Sequence, residues 1–322
     1  MSVVVGLVCL ILVLVFAASW YFSLSVSDRP RYPHEKALAE ESAIGFADPD
    51  FWATVPKEDF SFESQHGYTL NGFFIPTQTP EFLSDGKRFK KVLVFTHGHG
   101  YNLIGGLKYY RHFLDRGFDV YLYDLRACGT SGGKRVSMGM FEKDDLETLL
   151  SIIRNEYGDD LFLGSIGESM GGATVILQAA TYTAPDFVIS DCSYSDLRDE
   201  LAWKLKDLTK LPSFPIIDLA SLINKFRVGY WYKEISPVRL IKEKDGLPEV
   251  PILFVHGEDD TYILPKMAHE LFASKKGITG LILVPNAKHA SSVGVNPKMY
   301  MTAVDSFLAE VIKAKSGKIT TN

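Results

Sequence analysis

Ser169 stands in the pentapeptide Gly167-Glu168-Ser169-Met170-Gly171, between the apolar run "LFLGSI" and the small-residue stretch "GGATVILQAA". A free serine hydroxyl is a weak nucleophile at neutral pH. Chemistry here needs a strained turn, an adjacent base and donors aimed at a developing oxyanion. The flanking glycines let a strand and a helix approach closely across such a turn, and Gly-x-Ser-x-Gly is the spacing of a nucleophile elbow. An acid and a histidine should then follow, in that order. Asp260 in "VHGEDDTYILP" and His289 in "VPNAKHASS" do so, each just after an apolar run. In this arrangement His289 takes the Ser169 proton, Asp260 orients the imidazole, and the backbone N–H groups of His99 (in "THGHGYN") and Met170 face the tetrahedral oxygen. Asp259, Glu258 and Asp191 compete for the acid's role. The place of Asp260, four residues past His256 and just before "ILP", favours it. His97 and His256, each followed by glycine at a strand end, read as side chains that fix loops, and Asp124 with Arg126 reads as a local ion pair.

Loops so far apart in sequence meet only if a scaffold brings their strand ends to one edge. The runs "KKVLVFTHG", "FDVYLYDLR", "LFLGSIG", "DFVISDC", "PILFVHG" and "GLILVPN" are short, apolar and rich in β-formers. Between them lie stretches with helical spacing at roughly 104–116, 139–157, 170–183, 266–276 and 297–314. Near-continuous apolar strands alternating with amphipathic helices predict an α/β fold with a mostly parallel sheet covered on both faces, whose carboxyl edge gathers the site. "FSFESQHGYTLNGFFIPT" alternates and turns at Gln65-His66-Gly67, the pattern of an antiparallel hairpin. The interval after "DFVISDC", about 193–248, is too long for an ordinary connection and predicts a small helical cap over the strand ends. Its aromatics, Trp203, Phe214, Tyr230, Trp231 and Tyr232, suit either a substrate pocket or the cap's own core.

The chain has 322 residues with a formal charge of −5, which gives no field to gather nucleic acid. Residues 1–27 carry no charged side chain, and the apolar run suffices to cross a bilayer as one helix. The rival, a cleaved signal peptide, is offered small residues by "FAAS" but has no basic n-region. The expected organisation is an anchor over 1–27, a stalk over 28–58 and the α/β domain over 59–322. Arg29, Arg31 and Lys36 follow the apolar segment, which by the positive-inside rule favours a cytoplasmic domain, but the short N-terminal flank leaves the side of the membrane open. Cys128 and Cys192 are either buried thiols or one bridge. The three cysteines, the third being Cys9, do not have the paired spacing of a metal site.

The motifs "HGHG", "YDLRACGTSGG", "GESMGG", "VHGEDDTYILP" and "KHA", in this order from about residue 60 onward, resemble the α/β-hydrolase superfamily. The segments "DLRACGTSGGK", "ISDCSYSDL" and "LPSFPIIDLASLINKFRVGY" are similar to those of membrane-anchored or exported α/β hydrolases of Gram-positive bacteria. Ala127-Cys128 replaces the glycine and histidine of many relatives, and "NAKHA" replaces Gly-x-Gly-His, so the rim of the site departs from the common pattern. The resemblance implies a single-pass membrane serine hydrolase that cleaves small or lipid-like carboxylic esters through an acyl-enzyme, with no metal or organic cofactor. The same triad serves thioesterases, acyltransferases and peptidases, and a scaffold without turnover is the reading from another class.

Overall fold

The computed structural model describes residues 2–78, 89–158 and 160–319. The strands are β1 (Glu58–Glu63), β2 (Thr69–Ile75), β3 (Lys90–Thr96), β4 (Phe118–Tyr123), β5 (Leu161–Glu168), β6 (Phe187–Asp191), β7 (Ile252–Gly257) and β8 (Thr279–Val284). They form one sheet in the order β1-β2-β4-β3-β5-β6-β7-β8. The expected hairpin is β1–β2, antiparallel like β2–β4, and every other pair is parallel. This is the α/β-hydrolase fold.

In chain order the helices are α1 (Ser2–Ser27), α2 (His34–Ala43), α3 (Pro49–Thr54), α4 (Leu107–Leu114), α5 (Glu142–Tyr157), α6 (Met170–Thr181), α7 (Leu197–Thr209), α8 (Ile216–Arg227), α9 (Pro237–Glu243), α10 (Lys266–Ser274), α11 (Ser292–Val295) and α12 (Pro297–Ile319). Alternate residues of β3 show how the sheet is covered. Val92 and Val94 face one core with α5 and α6, while Leu93 and Phe95 face the other with α4 and α12. A strand buried on both faces must be apolar throughout, hence the continuous runs in the sequence. The interval after β6 folds into α7, α8 and α9.

Two segments depart from expectation. Residues 28–58, read as a stalk from their polar, mixed-charge composition, are bound to the domain. Arg31 donates to the carbonyls of Cys128 and Gly129, the Tyr32 carbonyl accepts from the Asn102 amide, and Ala37 of α2 is fully buried. Trp52 of α3 packs edge-on against Phe73 and Tyr110. A few apolar side chains without a period carry this docking, so no sequence pattern announced it.

The end of α1 is also part of the domain. Val3 to Leu14 stand free of it, but Val15 packs against the domain's core and Ser19, Ser23 and Ser27, four residues apart on one helix face, are buried. The Ser27 hydroxyl donates to Asn224 Oδ1 of α8 at 2.9 Å, the Ser27 carbonyl accepts from Val136 N at 3.0 Å, and Asp28 pairs with Arg135 and Arg227. Small side chains allow the close approach of the two helices.

Candidate active site

Ser169 sits between the end of β5 and the start of α6 with φ 57° and ψ −118°, a conformation costly for a residue with a Cβ and held by its surroundings. Its amide donates to the Asp191 carbonyl at 2.8 Å. Both glycines of the motif are required by contact. A Cβ on Gly167 would lie 2.1 Å from the Gly171 carbonyl oxygen, and one on Gly171 only 1.9 Å from that of Thr96.

His289 Nε2 lies 2.9 Å from Ser169 Oγ, and His289 Nδ1 lies 2.7 Å from Asp260 Oδ2. Asp260 and His289 occupy the loops after β7 and β8, so the parallel register brings the three together. Asp260 Oδ1 accepts from the amides of Tyr262 and Ile263, and its Oδ2 is 3.2 Å from His256 Nε2. Burial alone would raise the Asp260 carboxyl, but hydrogen bonds from His256 and His289 outweigh it and hold the group well below the carboxylate range. The rivals lie elsewhere. Glu258 and Asp259 are exposed, and Asp191 accepts from the Tyr109 hydroxyl at 2.9 Å while burial pushes it up to about 7.

The loop after β3 presses on the serine. A Cβ on Gly98 would lie 3.4 Å from Ser169 Cβ, and His97 fixes the loop by accepting from Leu125 N at 2.9 Å. The His99 side chain points away to the Val26 carbonyl at 2.8 Å, and burial lowers it to about 4, so it is neutral. Asp124 does not pair with Arg126. It binds His34 and accepts from the amides of Leu103 and Thr130, tying three segments together, while Arg126 lies over the Tyr68 and Phe141 rings. Cys128 and Cys192 are buried free thiols. Cys192, Asp260 and His289 bring ligand atoms within 4.8 Å of one another, but both His289 nitrogens are engaged by Asp260 and Ser169.

Three features escaped the sequence reading. Lys108 of α4 and Glu168 form a buried pair at 2.6 Å, and the Lys108 ammonium also donates to the Ala290 carbonyl at 2.8 Å, joining the residues that flank Ser169 and His289. Tyr262 lies over the His289 ring with centroids 4.7 Å apart. Glu200 of α7 is only 3% exposed, with no partner for either carboxyl oxygen among the described residues. A lone charged residue in an amphipathic stretch gives no sign in sequence of facing inward.

Two cavities meet at Ser169. The larger, about 760 Å³, has Glu40, Glu41, Lys108, Lys288 and His289 on its walls beside Ile44, Phe46 and Val295. The smaller, about 300 Å³, is walled by Phe22 and Val26 of α1, Met138, and Leu201 and Leu208 of α7, with Arg29, Glu200 and Lys204 also on its walls. None of the five cap aromatics lines it. Tyr230 and Tyr232 are fully buried in the cap's core, and Phe214 is exposed.

Residues 87–208 match the family described as serine aminopeptidase, S33. The chain is 33% identical over 277 residues to the uncharacterized protein YqkD of Bacillus subtilis, covering 85% of this chain and 86% of that one. It is 22% identical over 242 residues to the uncharacterized protein YfhR of Escherichia coli, 75% of each chain. Among solved structures, the Pyrococcus furiosus esterase Pf2001 superposes with a TM-score of 0.65 at 18% identity, covering 88% of this chain and 99% of that one. A Pyrococcus horikoshii acylaminoacyl peptidase superposes with a TM-score of 0.55 at 16% identity, over 79% of this chain and 41% of that one.

Proposed function

Because the chain belongs to the α/β-hydrolase superfamily, we propose that it is a membrane-anchored serine hydrolase of carboxylic esters, with Ser169, His289 and Asp260 as its triad. The observation that carries this reading is the unbroken chain Asp260–His289–Ser169 at 2.7 and 2.9 Å. Ser169 Oγ attacks the ester carbonyl as its proton passes to His289 Nε2, and the ionised Asp260 stabilises the imidazolium. The amides of His99 and Met170 receive the oxyanion. Met170 opens α6, where the first N–H groups have no partner within the helix. His289 then protonates the departing alkoxide, which leaves as the alcohol. A water gives its proton to His289, adds to the acyl-enzyme, and the acid is released with Ser169 restored.

The anchor reading is supported by α1, whose mean hydropathy is 2.9 over its most apolar stretch and whose last turns are hydrogen-bonded into the domain. A segment removed at "FAAS" would take with it Val15, which packs against the domain's core.

Labelling with a fluorophosphonate, read by peptide mass spectrometry, tests the assignment. An adduct on Ser169 that is lost in folded Ser169→Ala, together with cleavage of p-nitrophenyl acetate, is expected. A folded native protein that neither labels nor turns over would defeat it. The peptidase alternative predicts cleavage of aminoacyl p-nitroanilides as well as of matched esters.

A further inference from the structure

The smaller cavity at Ser169 is unusual in what builds it. Phe22, Ser25 and Val26 belong to the last turns of the apolar helix, and Leu201 and Leu208 to the cap helix that faces them. Leu208 lines the cavity and is also 75% exposed, so the cavity has a mouth there. Around this end of the cap large apolar side chains are exposed among the charged Lys206, Asp207 and Lys210. Phe214, in the turn after α7, is 73% exposed, and Phe226 of α8, the helix packed on α1, is 84% exposed. Single exposed apolar residues are ordinary, but Phe226 lies on the helix packed against a segment long enough to cross a bilayer. Trp20 lies under the Arg227 guanidinium at 5.6 Å, and both Trp20 and Tyr21 are exposed, the side chains expected where hydrocarbon meets headgroups.

The two cavities differ in the elements that wall them: α1 and α7 contribute the apolar side chains of the smaller, and the larger gathers side chains of α2 and of the loop that carries His289. The smaller carries the aliphatic and aromatic groups of Phe22, Val26, Met138, Leu201, Leu208 and Ile263, with Arg29 and Lys204 as its basic side chains, and its volume of about 300 Å³ falls at the lower end of ligand pockets, roughly 300–1,000 Å³, which suits one chain and no bulky group. Its one acid, Glu200, is pushed up to about 8 by burial and is therefore neutral at pH 7. The larger cavity presents carboxylates and lysines.

Resting on the serine-hydrolase reading, we propose that the cavity between α1 and α7 is an acyl-chain site open to the bilayer surface, and that the ester brought to Ser169 is a single-chain membrane amphiphile whose polar part occupies the larger cavity. α1 is then a wall of the binding site as well as an anchor, and Val26 and Leu208 set the chain length.

The full-length protein, reconstituted in vesicles of phosphatidylcholine and phosphatidylglycerol, is assayed on p-nitrophenyl acetate, p-nitrophenyl decanoate and monodecanoylglycerol added to the vesicles. Val26→Trp narrows the cavity from α1, and Leu208→Trp obstructs its exposed mouth and serves if the first variant does not fold. The decanoate-to-acetate ratio of kcat/KM should fall at least tenfold in each, and monodecanoylglycerol cleavage at least tenfold. A ratio within twofold of native overturns the acyl site. Cleavage of dissolved decanoate without cleavage of vesicle-borne monodecanoylglycerol overturns delivery from the membrane. Failure of native protein to cleave acetate or to label at Ser169 is the separate failure of the hydrolase reading, and the inference falls with it.

Discussion

The ammonium of Lys108 lies 2.6 Å from the carboxylate of Glu168, with both side chains nearly inaccessible to water. Burial alone would lower the lysine, yet Glu168 and Glu41 hold it above its ordinary value, so it remains charged. Breaking a buried pair from one side strands the other charge, which costs about 3–5 kcal/mol. Lys108→Met should destabilise the protein by that order in urea denaturation. Because Lys108 also holds the Ala290 carbonyl beside His289, kcat should fall about tenfold or more. Adding Glu168→Gln should recover part of the stability. Recovery of full stability in Lys108→Met alone would contradict a buried ion pair.

Asp260 holds His289 Nδ1, so Asp260→Asn would favour the wrong imidazole tautomer without removing the loop's amide contacts. A loss of kcat on the order of 10⁴-fold is expected, with KM little changed. Steady-state kinetics on p-nitrophenyl acetate measure both. The equivalent change at Asp191, which contacts Tyr109 and not His289, should leave kcat within about tenfold of native.

Glu200 makes stability fall as pH rises through the neutral range. Burial raises it to about 8, with Lys204, Asp260 and Lys266 as the charged groups facing it. The folded state thus keeps a proton that the unfolded chain releases near the ordinary glutamate value of roughly 4.3. Its stabilising contribution is full below that value and is lost as pH rises toward 8, at no more than about 1.4 kcal/mol per pH unit. Glu200→Gln should flatten the fall in Tm between pH 5 and 8. An unchanged slope would mean that Glu200 is ionised throughout.

The elbow glycines can be tested against a glycine whose only demand is conformational. Gly171→Ala places a methyl 1.9 Å from a backbone oxygen, whereas Gly67 (φ 77°) has open space around it. Gly67→Ala should cost about 1–2 kcal/mol. Gly171→Ala should cost more than twice as much or leave the protein insoluble, as read by chemical denaturation.

The sheet was legible because burial on both faces imposes uninterrupted apolar runs, and the strand-end loops carrying Ser169, Asp260 and His289 followed from it. Residues on helices were harder to read. Lys108 and Glu200 resemble solvent-facing charges in any helical repeat, and only the packing of α4 and α7 turns them inward. The cap aromatics showed the converse difficulty. Tyr230 and Tyr232 are as apolar as pocket residues, and which core they fill depends on how α8 crosses α1. Residues 28–58 gave no periodic signal because isolated contacts, Arg31 on loop carbonyls and Trp52 on two rings, hold them in place.

The docking of residues 28–58 leaves little slack between the apolar helix and Ser169. With α1 in a bilayer, the domain therefore rides at a fixed height and works in two dimensions. For the membrane amphiphile proposed above, supply is then set by molecules per unit area of membrane and by lateral diffusion, and a protease seeking a loose tether would find folded chain where a cut could release the domain.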